Sequence, residues 1–131
     1  MRIMLDTNVL VSALLFPTQK MNTLMEKVTT NHQLVLSSYI VDELFDVTHR
    51  KFPDKIVTVD TLLSQLSYEL IYTPKQLIPD LFEMRDAKDY PILYSAITED
   101  VDVFVTGDDD FSEVEIEKPE ILTPAEFLNK Y

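Results

Sequence analysis

Short unbroken apolar runs alternate along this chain with longer segments whose apolar residues recur three and four positions apart. Few folds accept that pattern. Ile3-Met4-Leu5, Leu34-Val35-Leu36 and the stretch Val101 to Val105 carry almost no polar residue, so they read as strands covered on both faces. Leu70-Ile71-Tyr72 and Ile121-Leu122 add two shorter ones. Between them, Val9 to Leu15, Met21 with Leu24, Met25 and Val28, Ile40 with Leu44 and Val47, and Leu62 with Leu63 and Leu66 keep helical spacing. A further helix is expected from Asp86 to about Glu99, with Ile92, Leu93 and Ala96 inward. The pattern predicts a three-layer α/β/α sandwich around a mostly parallel central sheet, in a single domain over residues 1–131.

Local signals mark the joints. Ser37 or Ser38 is a ready N-cap for a helix over about residues 39–51, and Pro124 starts a terminal helix at its first-turn position. Thr73 to Asp80 reads as loop. Glu113-Val114-Glu115-Ile116-Glu117 alternates charge with apolar residues, as a solvated edge strand or an extended arm would. Gly107 is the only glycine, so a sharp turn or a close backbone approach is expected there.

Composition removes several chemistries. There is no Cys, which excludes disulfides, thiolate metal sites and cysteine nucleophiles, and His32 and His49 are too few for a His-rich metal site. No apolar run approaches the roughly 20 residues of a membrane span, and no secretory leader is expected, so a cytoplasmic protein is the default. Lys and Arg number 11 against 23 Asp and Glu, a net charge of −12. Such a balance opposes indiscriminate grip on nucleic acid, yet it also suits acids gathered around a divalent ion. Placement decides between the two.

Two strands end in acids, Asp6 after the first and Asp108 just past the fourth. Taken alone, Asp6 reads first as an N-cap for the helix that follows. If the two strands are neighbours, however, both acids share the carboxyl edge of the sheet, where open α/β sheets bind ligands. Glu43, in the second turn of the helix after the second strand, and Asp89, in the first turn of the helix leading into the fourth, can point into the same cleft. Pro91 lies so close to the start of that last helix that either Asp86 or Asp89 could be the inward acid. Asp110 could add a ligand. An oxygen-only donor set suits Mg²⁺ or Mn²⁺, and such ions activate water in phosphodiester cleavage. Arg50 and Lys51, in the densest basic group of the chain, would suit substrate phosphates.

Asp6-Thr7-Asn8 after a strand, Glu43-Leu44 after Leu34-Val35-Leu36-Ser37-Ser38, Asp86 and Asp89 ahead of Ala96, and Val105-Thr106-Gly107-Asp108 together resemble the PIN domain. The resemblance runs from about residue 2 to residue 111 and rests on order, spacing and strand context. It implies a metal-dependent endoribonuclease using Mg²⁺ or Mn²⁺ and leaving 5′-phosphate and 3′-hydroxyl ends. It also implies the VapC-like toxin of a prokaryotic toxin–antitoxin pair, with RNA as substrate, an antitoxin protein as partner and a homodimer as assembly. Matched residue by residue, the family's acids fall on Asp6, Glu43, Asp89 and Asp108, with Asn8 and Thr106 as polar helpers. His49-Arg50-Lys51-Phe52 is similar to the toxin branch.

The rivals are a housekeeping RNA-processing nuclease of the same family and a catalytically idle PIN-like module acting through protein contacts. Asp108-x-Asp110-x-Ser112 matches the opening of an EF-hand loop, but Glu113 stands at its sixth position and Pro119 at its twelfth. An aspartyl phosphatase would want an acid where Asn8 stands.

Overall fold

Five strands form one sheet in the order β3-β2-β1-β4-β5, with every neighbouring pair parallel. They are β1 (Arg2–Leu5), β2 (Gln33–Ser37), β3 (Glu69–Ile71), β4 (Val103–Val105) and β5 (Glu120–Leu122). The computed structural model describes all residues, Met1–Tyr131. The helices are α1 (Thr7–Leu15), α2 (Gln19–Asn31), α3 (Ser38–Lys51), α4 (Ile56–Gln65), α5 (Tyr90–Thr98), α6 (Asp109–Ser112) and α7 (Pro124–Lys130). No helix is long and apolar enough to cross a membrane.

The chain lays β1, β2 and β3 outward in one direction, then returns past them to place β4 on the free side of β1. Right-handed crossovers running in opposite directions put their helices on opposite faces. α1, α3 and α4 pack on one another in one layer, and α5, in the returning crossover, belongs to the other. Covered twice, the central strands bury completely. Ile3, Met4, Leu5, Leu34, Val35, Leu36, Phe104 and Val105 are all inaccessible to solvent.

Caps fix where the helices begin. Ser37 rather than Ser38 caps α3, accepting from Ile40 N at 3.2 Å. Thr123 and Glu126 form a reciprocal capping box on α7, with Pro124 inside the first turn. α5 starts later than its sequence suggests. Pro91 lacks the amide that would donate to Ala87 O in an α-helix begun at Asp86, so a 3₁₀ turn, Ala87–Asp89, precedes the helix instead.

One sequence expectation changes, and one open alternative is decided. Gly107 has an ordinary backbone conformation, and a side chain there would meet nothing within 4 Å. The left-handed positions belong to Asp80 (φ 61°) and Asp100 (φ 57°), a role that Asp tolerates better than most residues. At Asp100 the amide donates to Ile97 O (3.2 Å) and Val101 N to Ala96 O (2.9 Å), a Schellman closure of α5. Residues 113–117 form no strand. They run as an arm after α6, with Val114 and Ile116 half-buried and the glutamates exposed, because β5 already completes that side of the sheet.

Candidate functional site

The sheet reverses its winding between β1 and β4, the place where open α/β sheets leave a crevice at their carboxyl ends. Leu5 pairs with Val105 in register. The ladder then runs on, with Asp6 N donating to Val105 O and Thr106 N to Leu122 O, each at 2.9 Å. Asp6 and Thr106 therefore emerge side by side, and Thr106 Oγ1 donates to Asp6 Oδ2 at 2.7 Å. The same hydroxyl accepts from Asp108 N at 3.0 Å. Asp6 Oδ1 accepts from Thr7 N at 2.8 Å, so Asp6 caps α1 and faces the crevice at once. Burial pushes its carboxyl from 3.8 up to about 6, opposed by those two donors and reinforced by Glu43 and Asp108.

Glu43 reaches the crevice from α3, where Thr7 Oγ1 donates to its Oε1. Across the crevice, Asp89, Asp108 and Asp110 bring one carboxylate oxygen each within 4.8 Å of one another. Asp108 caps α6, accepting from Asp110 N at 2.9 Å. Phe111 anchors that short helix by packing edge-on against Phe104 of β4, ring centroids 4.9 Å apart. Burying such a ring contributes about 1.5–3 kcal/mol, enough to hold the acidic turn in place. Asp89 makes no capping hydrogen bond. Burial first, then the charges of Asp108, Asp86, Asp6 and Asp110, drive its carboxyl from 3.8 up to about 7.

Like charges so close call for a cation. The side chain of Arg85 supplies part of it, at 3.3 Å from Asp110 and 3.8 Å from Glu113, but it is largely exposed. Hard carboxylate oxygens with no sulfur or imidazole among them suit a hard divalent cation. Asp6, Glu43, Asp89 and Asp108 all reach the crevice, and Asp110 joins the cluster.

Other expected residues lie elsewhere. Asp86 is exposed and turns back to accept from Lys88 N at 3.0 Å. Asn8 is exposed and makes no side-chain hydrogen bond, because rotation of α1 buries Val9 and Leu10 and leaves Asn8 outward. Asn8 had been expected as a polar helper, whereas Thr7, not singled out from the sequence, makes the polar contact to Glu43. Its signal was its place in the Asp6-Thr7-Asn8 triplet. Arg50 and Lys51 sit exposed on the last turn of α3, Arg50 paired with Asp46 at 3.2 Å. Arg50 nevertheless lines a groove with Tyr39, Asp42, Glu43, Asp46 and Lys88. Tyr39 closes one wall of it by donating to Lys88 O at 3.1 Å.

Thr106 offers a direct test of this scaffold. Thr106→Val keeps the shape but removes Asp6's donor and the acceptor for Asp108 N. Mn²⁺ affinity is expected to fall about 10–100-fold, as when partners of metal ligands are removed elsewhere. Calorimetric titration with Mn²⁺ measures it, and an unchanged dissociation constant would remove Thr106 from the site.

A family model described as PIN domain matches residues 2–110. Comparison with curated protein sequences finds no match. The fold is similar to that of a chain in the crystal structure of VapBC2 from Rickettsia felis bound to a DNA fragment from their promoter. The TM-score is 0.69 and the identity 21%, over 93% of this chain and 97% of that one. At that identity the likeness speaks to the fold; the family model, which spans every acid from Asp6 to Asp108, speaks to descent. By that match the chain belongs to the PIN domain family.

Proposed function

We propose that this protein is a metal-dependent endoribonuclease and the toxin of a toxin–antitoxin pair. The observation that carries the nuclease reading is the convergence of Asp6, Glu43, Asp89 and Asp108 on one crevice, with Asp110 beside them. The likeness to a VapBC2 chain supports the toxin reading. The ion would be Mg²⁺ or Mn²⁺, the substrate RNA, the partner an antitoxin protein, the setting the cytoplasm and the assembly a homodimer.

Asp89, Asp108 and Asp110, with Asp6 beside them, would hold the ion. When bound, Mg²⁺ or Mn²⁺ supplies activation of water and neutralises charge on the phosphate. Thr106 keeps Asp6 and the Asp108 turn aligned; Thr7 holds the Glu43 carboxylate toward the crevice. Glu43, which caps no helix, would take up a proton from an attacking water.

Cleavage of a single-stranded RNA should require Mn²⁺ or Mg²⁺ and stop in excess chelator. Undiminished cleavage in chelator would sink the reading. The groove along α3 makes a second expectation. Ala at both Arg50 and Lys51 should weaken RNA binding and lower the slope of log affinity against log salt by about 1–2. Filter binding over a salt series measures it. Wild-type affinity at every salt concentration would return both residues to the solvated face.

A further inference from the structure

The turn that presents Asp89 has a second side. Ala87, Tyr90 and Pro91, its neighbours in the chain, line an open cavity of about 560 Å³ together with Leu77, Phe82 and Met84. That volume lies within the range of small-ligand sites, about 300–1,000 Å³. The cavity is preformed, because Tyr90's hydroxyl accepts from Leu81 N at 3.2 Å and Tyr94's from Ile78 N at 3.4 Å, pinning the loop that roofs it. A smaller opening of about 270 Å³ shares Glu83 and Met84 with it and is lined as well by Arg85 and Asp110. Asp110 belongs to the carboxylate cluster. Glu83 and Met84 are thus shared between the apolar cavity and an opening that reaches an exposed guanidinium and one of the acids.

Its chemistry selects an occupant. No Lys, Arg or His lines the larger cavity, whereas Asp80 and Glu83 do, so a phosphate is repelled. An aliphatic side chain of a protein partner would suit the walls but would offer the two exposed carboxylates no donor. A nucleobase meets both demands. Its face would stack against half-buried Tyr90, which is itself stacked on Phe82 with ring centroids 4.5 Å apart at 15°. Its N–H groups answer the carboxylates. Guanine presents adjacent N1–H and N2–H donors that one carboxylate accepts together; uracil presents a single N3–H between two carbonyl acceptors. Arg85, 3.3 Å from Asp110, stands where the backbone joining that base to the acids would pass.

We propose that the cavity between Leu77 and Pro91 holds a base of the RNA substrate, guanine in preference, and so sets which phosphodiester reaches the acids. The proposal rests on the nuclease reading. Its test begins without metal and without cleavage, by titrating guanosine and uridine into the chelated protein while following the Met84 and Ala87 methyl signals by NMR. Guanosine should move both at concentrations about tenfold below those at which uridine does, the discrimination of one bidentate pair. Glu83→Gln should erase the difference, and Ala87→Phe, which fills the opening, should abolish the response. With Mn²⁺, cleavage of a randomised RNA should favour one base position for wild type and lose that preference in Ala87→Phe. Methyl signals unmoved by either nucleoside, or moved equally in wild type and Ala87→Phe, overturn the proposal even if cleavage is intact. Absence of Mn²⁺-dependent cleavage in wild type overturns instead the nuclease reading, and with it the assignment of the occupant as substrate.

Discussion

Asp108→Asn is expected to lower Mn²⁺-dependent RNA cleavage by more than about 100-fold while leaving the protein folded. Removing groups that merely support metal ligands costs about 10–100-fold, and Asp108 is placed as a ligand, among oxygens within 4.8 Å of one another. The substitution separates its two duties. The carboxylate also caps α6 by accepting from Asp110 N at 2.9 Å, and the amide oxygen of Asn can keep that bond. Phe111 remains seated against Phe104, so the turn keeps its place. The decisive measurement pairs initial cleavage rates with thermal melting. A variant that melts like wild type and retains more than a tenth of its rate would show Asp108 to be a helix cap and nothing more.

The second large effect concerns Asp89. Its carboxyl is raised from 3.8 to about 7, and that of Asp6 from 3.8 to about 6, burial being the first cause in each. A carboxyl whose folded pKa exceeds its unfolded one keeps its full stabilising effect below the unfolded value. Between about pH 4 and about pH 7 the folded protein holds protons that the unfolded chain has released, so stability falls as pH rises through that window. Asn cannot ionise. Asp89→Asn, in chelator, should therefore melt close to wild type at pH 4 and above it at pH 8. Water reaches Asp89 and screens the effect, so the gain will be a fraction of what the shift alone suggests. Asp6→Asn is the poorer probe, since one of Asp6's two donors would then face an amide nitrogen.

Metal reverses the order. An ion that binds only the folded state adds about 2.7 kcal/mol at 100 times its dissociation constant, roughly 10 °C in midpoint for a domain of this size. Wild type should gain that shift and Asp89→Asn much less. An Asp89→Asn protein that melts below wild type in chelator at pH 8 would mean that the clustered acids do not repel.

What could be seen in the sequence, and what could not, divides by range. The strands were legible because burial on both faces leaves an unbroken apolar run, as at Leu34-Val35-Leu36 and Val103-Phe104-Val105. The four acids were legible because each stands at a fixed offset from such a run or from a helix start. Rotation of a helix about its own axis was not. Thr7 and Asn8 are adjacent and both polar, and only packing of Val9 and Leu10 against the sheet decides that Thr7 turns inward. Glycine count misled for a similar reason. The left-handed turns fell to Asp80 and Asp100, and Gly107, alone of its type, occupies open space. Arg85's pairing with Asp110 depends on how the loop after β3 folds back, for which no local pattern speaks.

The hydrogen bond from Thr106 to Asp6 joins residues 100 positions apart. On a ribosome, Asp6 is made early and waits for the strand that completes its surroundings. At about 5–20 residues per second, the intervening 100 residues take about 5–20 s. Late in that interval the nascent chain can carry β1, β2 and β3 yet present no assembled crevice. The order in which the strands are synthesised thus leaves the acidic crevice unassembled until β4 slides in next to β1.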